Sequence, residues 1–178
     1  MRAFVSRLFF PVPTPSYSAK SFPGELLWIP PTLDYATCHK STCLPALFLK
    51  CPNAKFFILF LHSNGEDIGM CHAFVSRLRD LLEVHVLAVE YPGYGICPGT
   101  PSEERLHAAA RLGFGFMTQV LGAEPADVIL FGRSLGTALA LALGAEFRVG
   151  GLVLVAPFLS LREAVSQPGG PGLLADPH

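Results

Sequence analysis

The chain has 178 residues, a length that suits a single domain with one hydrophobic core. Hydrophobic residues make up 51% of the sequence and charged residues only 15%, which excludes intrinsic disorder. The net charge of -1 excludes a strongly basic surface, so we expect no nucleic-acid partner. The longest charge-free apolar stretches, residues 134–145 and 149–161, are shorter than the roughly 18 residues that a membrane-spanning helix needs.

Residues 1–24 are predicted to form a flexible leader ahead of the folded domain. Arg7 interrupts the apolar run that a secretory signal peptide requires, and prolines at positions 11, 13 and 15 prevent a regular helix. Two alternatives stay open for this segment: a mitochondrial presequence, or peripheral contact of residues 1–20 with a membrane surface. The expected location of the chain is the cytoplasm, with or without membrane attachment.

The cysteines form an odd-numbered set without CxxC spacing, which predicts reduced thiols rather than a disulfide framework. The same spacing argues against a zinc site, and no phosphate-binding glycine loop follows any predicted strand. We therefore expect neither a metal nor a cofactor. The cysteines are Cys38, Cys43, Cys51, Cys71 and Cys97.

Beyond residue 44 the chain alternates between short apolar runs and longer amphipathic segments, a pattern typical of strands joined by helices. The predicted strands occupy residues 46–50, 56–61, 84–89, 128–131 and 152–155, and the predicted helices residues 67–83, 100–121 and 135–146. Nearly unbroken apolar runs are expected of parallel strands that helices cover on both faces. The domain is predicted to extend over residues 25–160, and the proline- and glycine-rich residues 161–178 to form an unstructured tail.

Two of the predicted helices have features that can be checked. In the first, Met70, Phe74, Leu78 and Leu81 or Leu82 recur at helical spacing and are expected to form the buried face. The second is expected to begin with Thr100 as its N-cap and Pro101 at its first helical position.

The junction between the strand at 128–131 and the helix at 135–146 contains the pattern Gly132-x-Ser134-x-Gly136. A serine in a tight turn between a buried strand and a buried helix is strained, with its hydroxyl exposed at the sheet edge. Ser134 would then be a nucleophile, and the Leu135 amide and the helix N-terminus would face a developing oxyanion. The alternative is an ordinary serine N-cap after a glycine turn.

Two further strand ends are expected at the same edge. The strand at 56–61 is followed by HSNGEDIG, in which the amide of Asn64, or otherwise of Ser63, is the candidate second oxyanion donor. The alternative is a plain connection in which Asn64 and Gly65 make the turn. The strand at 84–89 is followed by EYPGYG, which places Tyr91 and Tyr94 at the rim either to shape a pocket or to cap the core.

Taken in order, these motifs resemble the alpha/beta-hydrolase superfamily, and within it the intracellular alpha/beta-hydrolase-domain serine hydrolases, several of which are esterases or acyl-protein thioesterases. HSNGEDIG resembles the HGNxxDxG oxyanion loop of that family, EYPGYG its (D/E)YxGYG loop, PSEE the start of its next helix, and FGRSLGT its GxSxGT turn. The resemblance covers residues 44–160, and Ser63 stands where the family more often has glycine. It implies an α/β fold, with a mostly parallel sheet flanked by helices, and Ser134 as nucleophile.

The resemblance also implies an acid and a histidine base that follow the nucleophile on later strand ends. After Ser134 the sequence holds acids at positions 146, 163 and 176 and one histidine, His178. Asp176 and His178 are too close in sequence to come from two strand ends, and the earlier histidines precede the motif, His62 being expected to orient its loop. Neither acid nor base is identified, and the fold is predicted to be incomplete, without its last two strands and final helix.

Two functions follow from this interpretation. The first is hydrolysis of an ester or thioester, in a small molecule or a lipidated protein, through an acyl-enzyme on Ser134, although a chain without its base is expected to be inactive on its own. The second is a non-catalytic binding or regulatory role, in which the exposed edge of the strand at 152–155 pairs with another polypeptide.

Overall fold

The fold is a six-stranded sheet flanked by helices, and the computed structural model describes it over residues 10–36 and 39–157. The helices are α1 (Ile68–Leu82), α2 (Glu103–Gly115) and α3 (Leu135–Glu146). A π-helical turn, Phe116–Val120, extends α2, and a 3-10 turn, Pro125–Asp127, precedes the fifth strand. The strands are β1 (Leu26–Ile29), β2 (Leu44–Leu49), β3 (Phe57–Leu61), β4 (His85–Val89), β5 (Val128–Arg133) and β6 (Gly151–Val155).

The strands lie in the order β1-β2-β4-β3-β5-β6. The pairs β3 with β4, β3 with β5 and β5 with β6 are parallel, whereas β2 runs antiparallel to both β4 and β1. The expectation of a mostly parallel sheet flanked by helices is confirmed. The expectation that the strand at 46–50 is parallel is wrong, because an apolar run indicates burial but not direction.

Successive side chains of the central strands face two separate cores. In β3, Leu59 and Leu61 belong to the core beneath α2 and α3, whereas Ile58 and Phe60 belong to the core beneath α1. Helices therefore cover both faces of the sheet, which explains why the strand sequences are apolar throughout rather than alternating.

The buried face of α1 differs from the predicted one. It consists of Ile68, Cys71 and Val75. Four residues of the predicted face are exposed instead: Met70 (55%), Phe74 (37%), Leu81 (73%) and Leu82 (56%). Both sets of residues recur at helical spacing, so the period alone could not distinguish them.

The helix α2 begins later than predicted. Its N-cap is Ser102, whose hydroxyl accepts a hydrogen bond from the Arg105 N–H. Thr100 instead accepts hydrogen bonds from the Arg105 guanidinium, 3.0 Å at its carbonyl and 2.7 Å at its hydroxyl. The predictions for Thr100 and Pro101 are therefore wrong, since Ser102 caps equally well and places Glu103 in the first turn, near the positive end of the helix dipole.

Cys43 is disulfide-bonded, so the prediction of a reduced thiol is wrong at this position. A disulfide requires two cysteines within reach of each other, and neither an even count nor CxxC spacing. Cys51, Cys71 and Cys97 are free. Burial raises the pKa of the Cys97 thiol to about 12 and also raises the pKa of Cys71, so neither forms a reactive thiolate near neutral pH.

Residues 10–24, which belong to the predicted leader, pack on the domain. Phe10 and Tyr17 are each only 6% exposed and belong to the two cores. We call this segment the strap. The predicted tail, residues 161–178, and the first nine residues lie outside the described part of the chain, so the outer limits of the domain stay predictions.

Candidate active site

Ser134 lies in a strained turn between β5 and α3. Its φ of 49° and ψ of -112° are in a region that costs a non-glycine residue about 1–3 kcal/mol. Its side chain makes no capping hydrogen bond, whereas an ordinary serine N-cap has extended backbone and accepts a bond from the first helical turn. The geometry therefore favours the nucleophile turn over the N-cap alternative. We call it the Ser134 turn.

Two glycines allow this turn to pack closely against its surroundings. A Cβ atom on Gly132 would lie 2.5 Å from the carbonyl oxygen of Gly136. A Cβ atom on Gly136 would collide with the carbonyl groups of Leu61 and His62, where β3 ends. The first turn of α3 thus rests directly on the backbone that leads into the loop after β3.

Hydrogen bonds to the backbone of Ser134 fix both ends of the Ser134 turn. The Ser134 N–H donates to the Val155 carbonyl at 2.8 Å, and the Thr137 hydroxyl donates to the Ser134 carbonyl at 2.6 Å. The side chain is partly exposed. Across residues 10–36 and 39–157, no histidine or carboxylate forms a hydrogen bond with the Ser134 hydroxyl.

Other candidate bases and acids have partners away from this turn. His72 Nε2 lies 2.7 Å from a Glu25 carboxylate oxygen, and Glu146 accepts a hydrogen bond from Arg111 at 2.6 Å. The remaining acids and the histidine after Ser134 lie outside the described residues, so the acid and base stay unidentified. These are Glu163, Asp176 and His178.

His62 anchors the loop after β3 from the protein interior. Its ring is fully buried, with Nε2 3.0 Å from Glu90 Oε1 and Nδ1 3.0 Å from the Ser63 carbonyl oxygen. Glu90, also fully buried, accepts further hydrogen bonds from the N–H groups of Ile68 and Tyr91. Because a buried carboxylate is costly unless its oxygens are bonded, this network holds the loop in one position. We call residues 62–67 the His62 loop.

A second polar chain joins the His62 loop to the Ser134 turn. Glu66 Oε1 accepts hydrogen bonds from the Ser63 N–H at 2.7 Å and from the Ser63 hydroxyl at 2.5 Å. Its other oxygen bonds to the guanidinium of Arg133, the residue before Ser134. The Ser63 amide is thus already engaged, which disfavours it as an oxyanion donor, and the choice of the Asn64 amide stays a prediction.

Tyr91 and Tyr94 cap the core rather than line an open pocket, since both are fully buried. The Tyr91 hydroxyl donates to the His62 carbonyl at 2.9 Å, and the Tyr94 hydroxyl donates to Asn64 Oδ1 at 2.6 Å. Burial, the largest cause, and the nearby Glu90 carboxylate raise the pKa of Tyr94 above its usual value. Both phenols therefore stay protonated and remain donors to the His62 loop.

An apolar cavity of about 270 Å³ opens beside α2. Leu44, Pro92, Cys97 and Leu112 are among its lining residues, and Arg105 also contributes to its lining. Pro92 and Cys97 follow β4, so the cavity and Ser134 lie at the same, carboxyl-terminal edge of the parallel strands. Within the described ranges, no group of three or more metal-ligating side chains occurs, and no helix is long and apolar enough to cross a membrane.

Comparison with known proteins agrees with this geometry. The model of the alpha/beta hydrolase family matches residues 58–178, about two thirds of the chain. The chain belongs to this family. Its alpha/beta hydrolase fold is also similar to the crystal structure of an alpha-beta hydrolase from Vibrio vulnificus, with 26% sequence identity and a TM-score of 0.59 over 69% of this chain and 45% of the other.

Named relatives within the alpha/beta hydrolase family are longer than this chain. It is 30% identical over 122 residues to alpha/beta hydrolase domain-containing protein 17B of Homo sapiens, which covers 68% of this chain and 42% of that protein. It is 29% identical over 173 residues to alpha/beta hydrolase domain-containing protein aho-3 of Caenorhabditis elegans. This match covers 89% of this chain and 52% of that protein. The chain therefore spans about half the length of these relatives.

Sequence reasoning missed the roles of Glu66, Arg133 and Tyr17. Glu66 and Arg133 stand inside the quoted motifs HSNGEDIG and FGRSLGT, and their opposite charges were the available signal. Tyr17 stands in a segment without helical or strand periodicity, so no local pattern pointed to it.

Proposed function

We propose that the chain contains the nucleophile and oxyanion-binding parts of a serine hydrolase that cleaves an ester or thioester through an acyl-enzyme. Ser134 is the nucleophile, and the amides of Leu135 and Asn64 are the oxyanion donors. The observation that supports this most directly is the Ser134 turn, in which a partly exposed serine with positive φ stands where α3 begins.

In this reaction Ser134 Oγ attacks the carbonyl carbon and gives up its proton to a base. The negative charge that forms on the carbonyl oxygen is stabilised by the two amides and the N-terminus of α3. The bond to the alkoxide or thiolate leaving group then breaks, the leaving group takes a proton, and water hydrolyses the acyl-enzyme. Without its base, such a site retains an acceleration of about 10³–10⁴-fold over water.

The substrate that we propose has an apolar acyl group, in a small ester or thioester or in a lipidated protein. The apolar cavity beside α2 supports this class, because it lies at the same sheet edge as Ser134 and has room for several methylene groups. Its lining consists mainly of apolar side chains, which favour an alkyl chain over a charged substituent.

A fluorophosphonate probe tests the nucleophile. Because no base is identified among the described residues, we expect covalent labelling of Ser134 in the full chain to be slow but faster than that of an ordinary serine, and mass spectrometry of the labelled peptide locates it. Ser134→Ala is expected to lower labelling at least 100-fold, whereas Ser41→Ala, which alters an exposed serine, leaves it unchanged. Absence of labelling in a folded wild-type chain, or persistence of labelling in Ser134→Ala, would contradict the proposal.

The second candidate is a non-catalytic binding role at the free edge of β6. Within the described residues β6 pairs only with β5, and Leu152, Val153 and Val155 are 40–43% exposed. Such an edge can pair with a strand of another polypeptide. A folded chain that resists the probe, and that forms a cross-linked complex lost on Val153→Lys, would favour this role over hydrolysis.

A further inference from the structure

The strap contacts the His62 loop at successive points along its length. The Pro11 carbonyl oxygen would lie 3.8 Å from a Cβ atom on Gly65. The Ser16 N–H donates to Asp67 Oδ2 at 2.7 Å, and the Ser16 hydroxyl donates to the other oxygen of the same carboxylate. The strap therefore follows the loop from its middle to its last residue.

Tyr17 extends this contact into the buried network. Its hydroxyl donates to Glu90 Oε2 at 2.9 Å, while the second oxygen of Glu90 bonds His62 Nε2. Tyr17 and His62 thus bind the same buried carboxylate. Among the described contacts, Glu90 is the only residue that links the Tyr17 hydroxyl to the His62 ring.

Two glycines form the slot that Tyr17 occupies. A Cβ atom on Gly69, in α1, would lie 2.5 Å from Ser16 Oγ and 2.9 Å from Tyr17 Cβ. A Cβ atom on Gly95, in the loop after β4, would lie 2.6 Å from Tyr17 Cε1. Two separate elements therefore lack side chains where the strap enters, which indicates that this docked position belongs to the fold rather than being an incidental contact of a loose terminus.

The far end of the strap makes its own contacts with α1. Phe22 stacks on His72 of α1 with ring centroids 4.2 Å apart. Glu25, which directly follows the strap, accepts a hydrogen bond from Arg79 and is hydrogen-bonded to His72. These contacts do not involve His62, Glu90 or Asp67. Phe22 also faces Tyr17, with ring centroids 6.3 Å apart, so the two ends of the strap pack on each other although their hydrogen bonds are separate.

We propose that Tyr17 is a positioning residue for oxyanion stabilisation, acting through Glu90 and His62 to hold the Asn64 amide in place. The role rests on the proposed function of the His62 loop. Ser16 assists by fixing Asp67, where the loop joins α1. An electrostatic donor contributes to catalysis only when it is held in position before the charge develops, and the strap supplies part of that rigidity.

Tyr17→Phe in the full chain tests the proposal, because it removes the hydroxyl and retains the ring in its slot. We expect amide hydrogen exchange in residues 62–67 to become about tenfold faster, which corresponds to one lost hydrogen bond to a charged group. The histidine ring ¹⁵N resonances of His62 are expected to shift. Tyr35→Phe, which removes the hydroxyl of an exposed tyrosine, should leave both signals unchanged.

The rate of fluorophosphonate labelling separates positioning from mere packing. We expect the labelling rate of Ser134 to fall about tenfold in Tyr17→Phe and to be unaffected in Tyr35→Phe. Unchanged exchange of residues 62–67 in folded Tyr17→Phe overturns the proposal, as does faster exchange with an unchanged labelling rate. If Tyr17→Phe does not fold, Ser16→Ala is judged by the same two measurements. If the wild-type chain is not labelled at all, the proposed function fails, whereas the exchange data still decide whether the strap holds the loop.

Discussion

The Ser134 turn and the His62 loop meet at Gly136, but their polar groups differ in how completely they are bonded. In the His62 loop, each ring nitrogen of His62 has a partner, and both oxygens of the buried Glu90 accept hydrogen bonds. In the Ser134 turn, the backbone groups are bonded, whereas the hydroxyl has no acid or base partner among the described residues. Among the described residues the hydrogen bonds of His62 and Glu90 are therefore complete, whereas the Ser134 hydroxyl lacks the partner that a proton transfer would need.

The difference indicates how such a site is divided along the chain. Oxyanion stabilisation depends on backbone amides held by local loops, which residues 62–67 and 132–137 contain. Proton transfer depends on side chains that the family places on later strand ends. Under the proposed function, the described residues would therefore hold the oxyanion-binding groups and the nucleophile, but neither the acid nor the base, in a chain that spans about half the length of its relatives.

The largest expected effect comes from the contact between the Ser134 turn and the His62 loop. Gly136→Ala places a Cβ atom against the carbonyl groups of Leu61 and His62, so the loop or the helix must shift. We expect a loss of about 3 kcal/mol in the free energy of unfolding, measured by urea denaturation. Gly144→Ala in the same helix is the matched control, since there the added Cβ would meet only the flexible Leu152 side chain. Equal stability of both variants would mean that the Ser134 turn does not pack closely against the His62 loop.

A smaller effect is expected from the pH dependence of the His62 loop. The pKa of Tyr94 is raised by burial and by Glu90, so the folded state keeps the phenolic proton while the unfolded chain releases it near pH 10. The protonated Tyr94 phenol therefore contributes its full share to the free energy of unfolding below that pH. This share declines as pH rises further, by about 1 kcal/mol per pH unit.

Comparison of wild type with Tyr94→Phe isolates this contribution. The variant is expected to be less stable at pH 8, because Asn64 loses its 2.6 Å hydrogen bond. It should lose about 1 kcal/mol less stability than wild type between pH 10 and pH 11 in urea denaturation. Parallel pH curves for the two proteins would show that Tyr94 ionises equally in the folded and unfolded states.

The smallest expected effect concerns strain in the Ser134 turn. Glycine tolerates a φ of 49° without steric cost, so Ser134→Gly should relieve strain, although it also increases the entropy of the unfolded chain. We expect Ser134→Gly to be about 0.5 kcal/mol more stable than Ser134→Ala by thermal denaturation. A less stable glycine variant would show that the turn is not strained.

Much of this fold was predictable because its determinants are local. The strand ends fall within two residues of the predicted limits for five strands, since uninterrupted apolar runs bounded by turn residues define them. The helix α3 was predicted at its observed limits, and the Ser134 turn from its two glycines. Asp67, the first residue of the predicted helix 67–83, is the N-cap of α1.

The features that the sequence did not reveal depend on pairs of residues far apart in the chain. Tyr17 and Glu90 are 73 positions apart, and no periodicity links them. The direction of β2 and the buried face of α1 were also missed, because apolar patterns show that a residue is buried but not against which neighbour. Thr100 was a plausible N-cap by residue type, and only the geometry of Arg105 shows why Ser102 takes that place.

The hydrogen bond from the Ser134 N–H to the Val155 carbonyl ties the outermost described strand to the residue that we propose as nucleophile. The register of β6 against β5 places Val155 opposite Arg133, immediately before the turn. A slip of β6 by one residue would present a different carbonyl and turn its side chains to the opposite face. A change in how β6 pairs would therefore reach Ser134 through this one hydrogen bond.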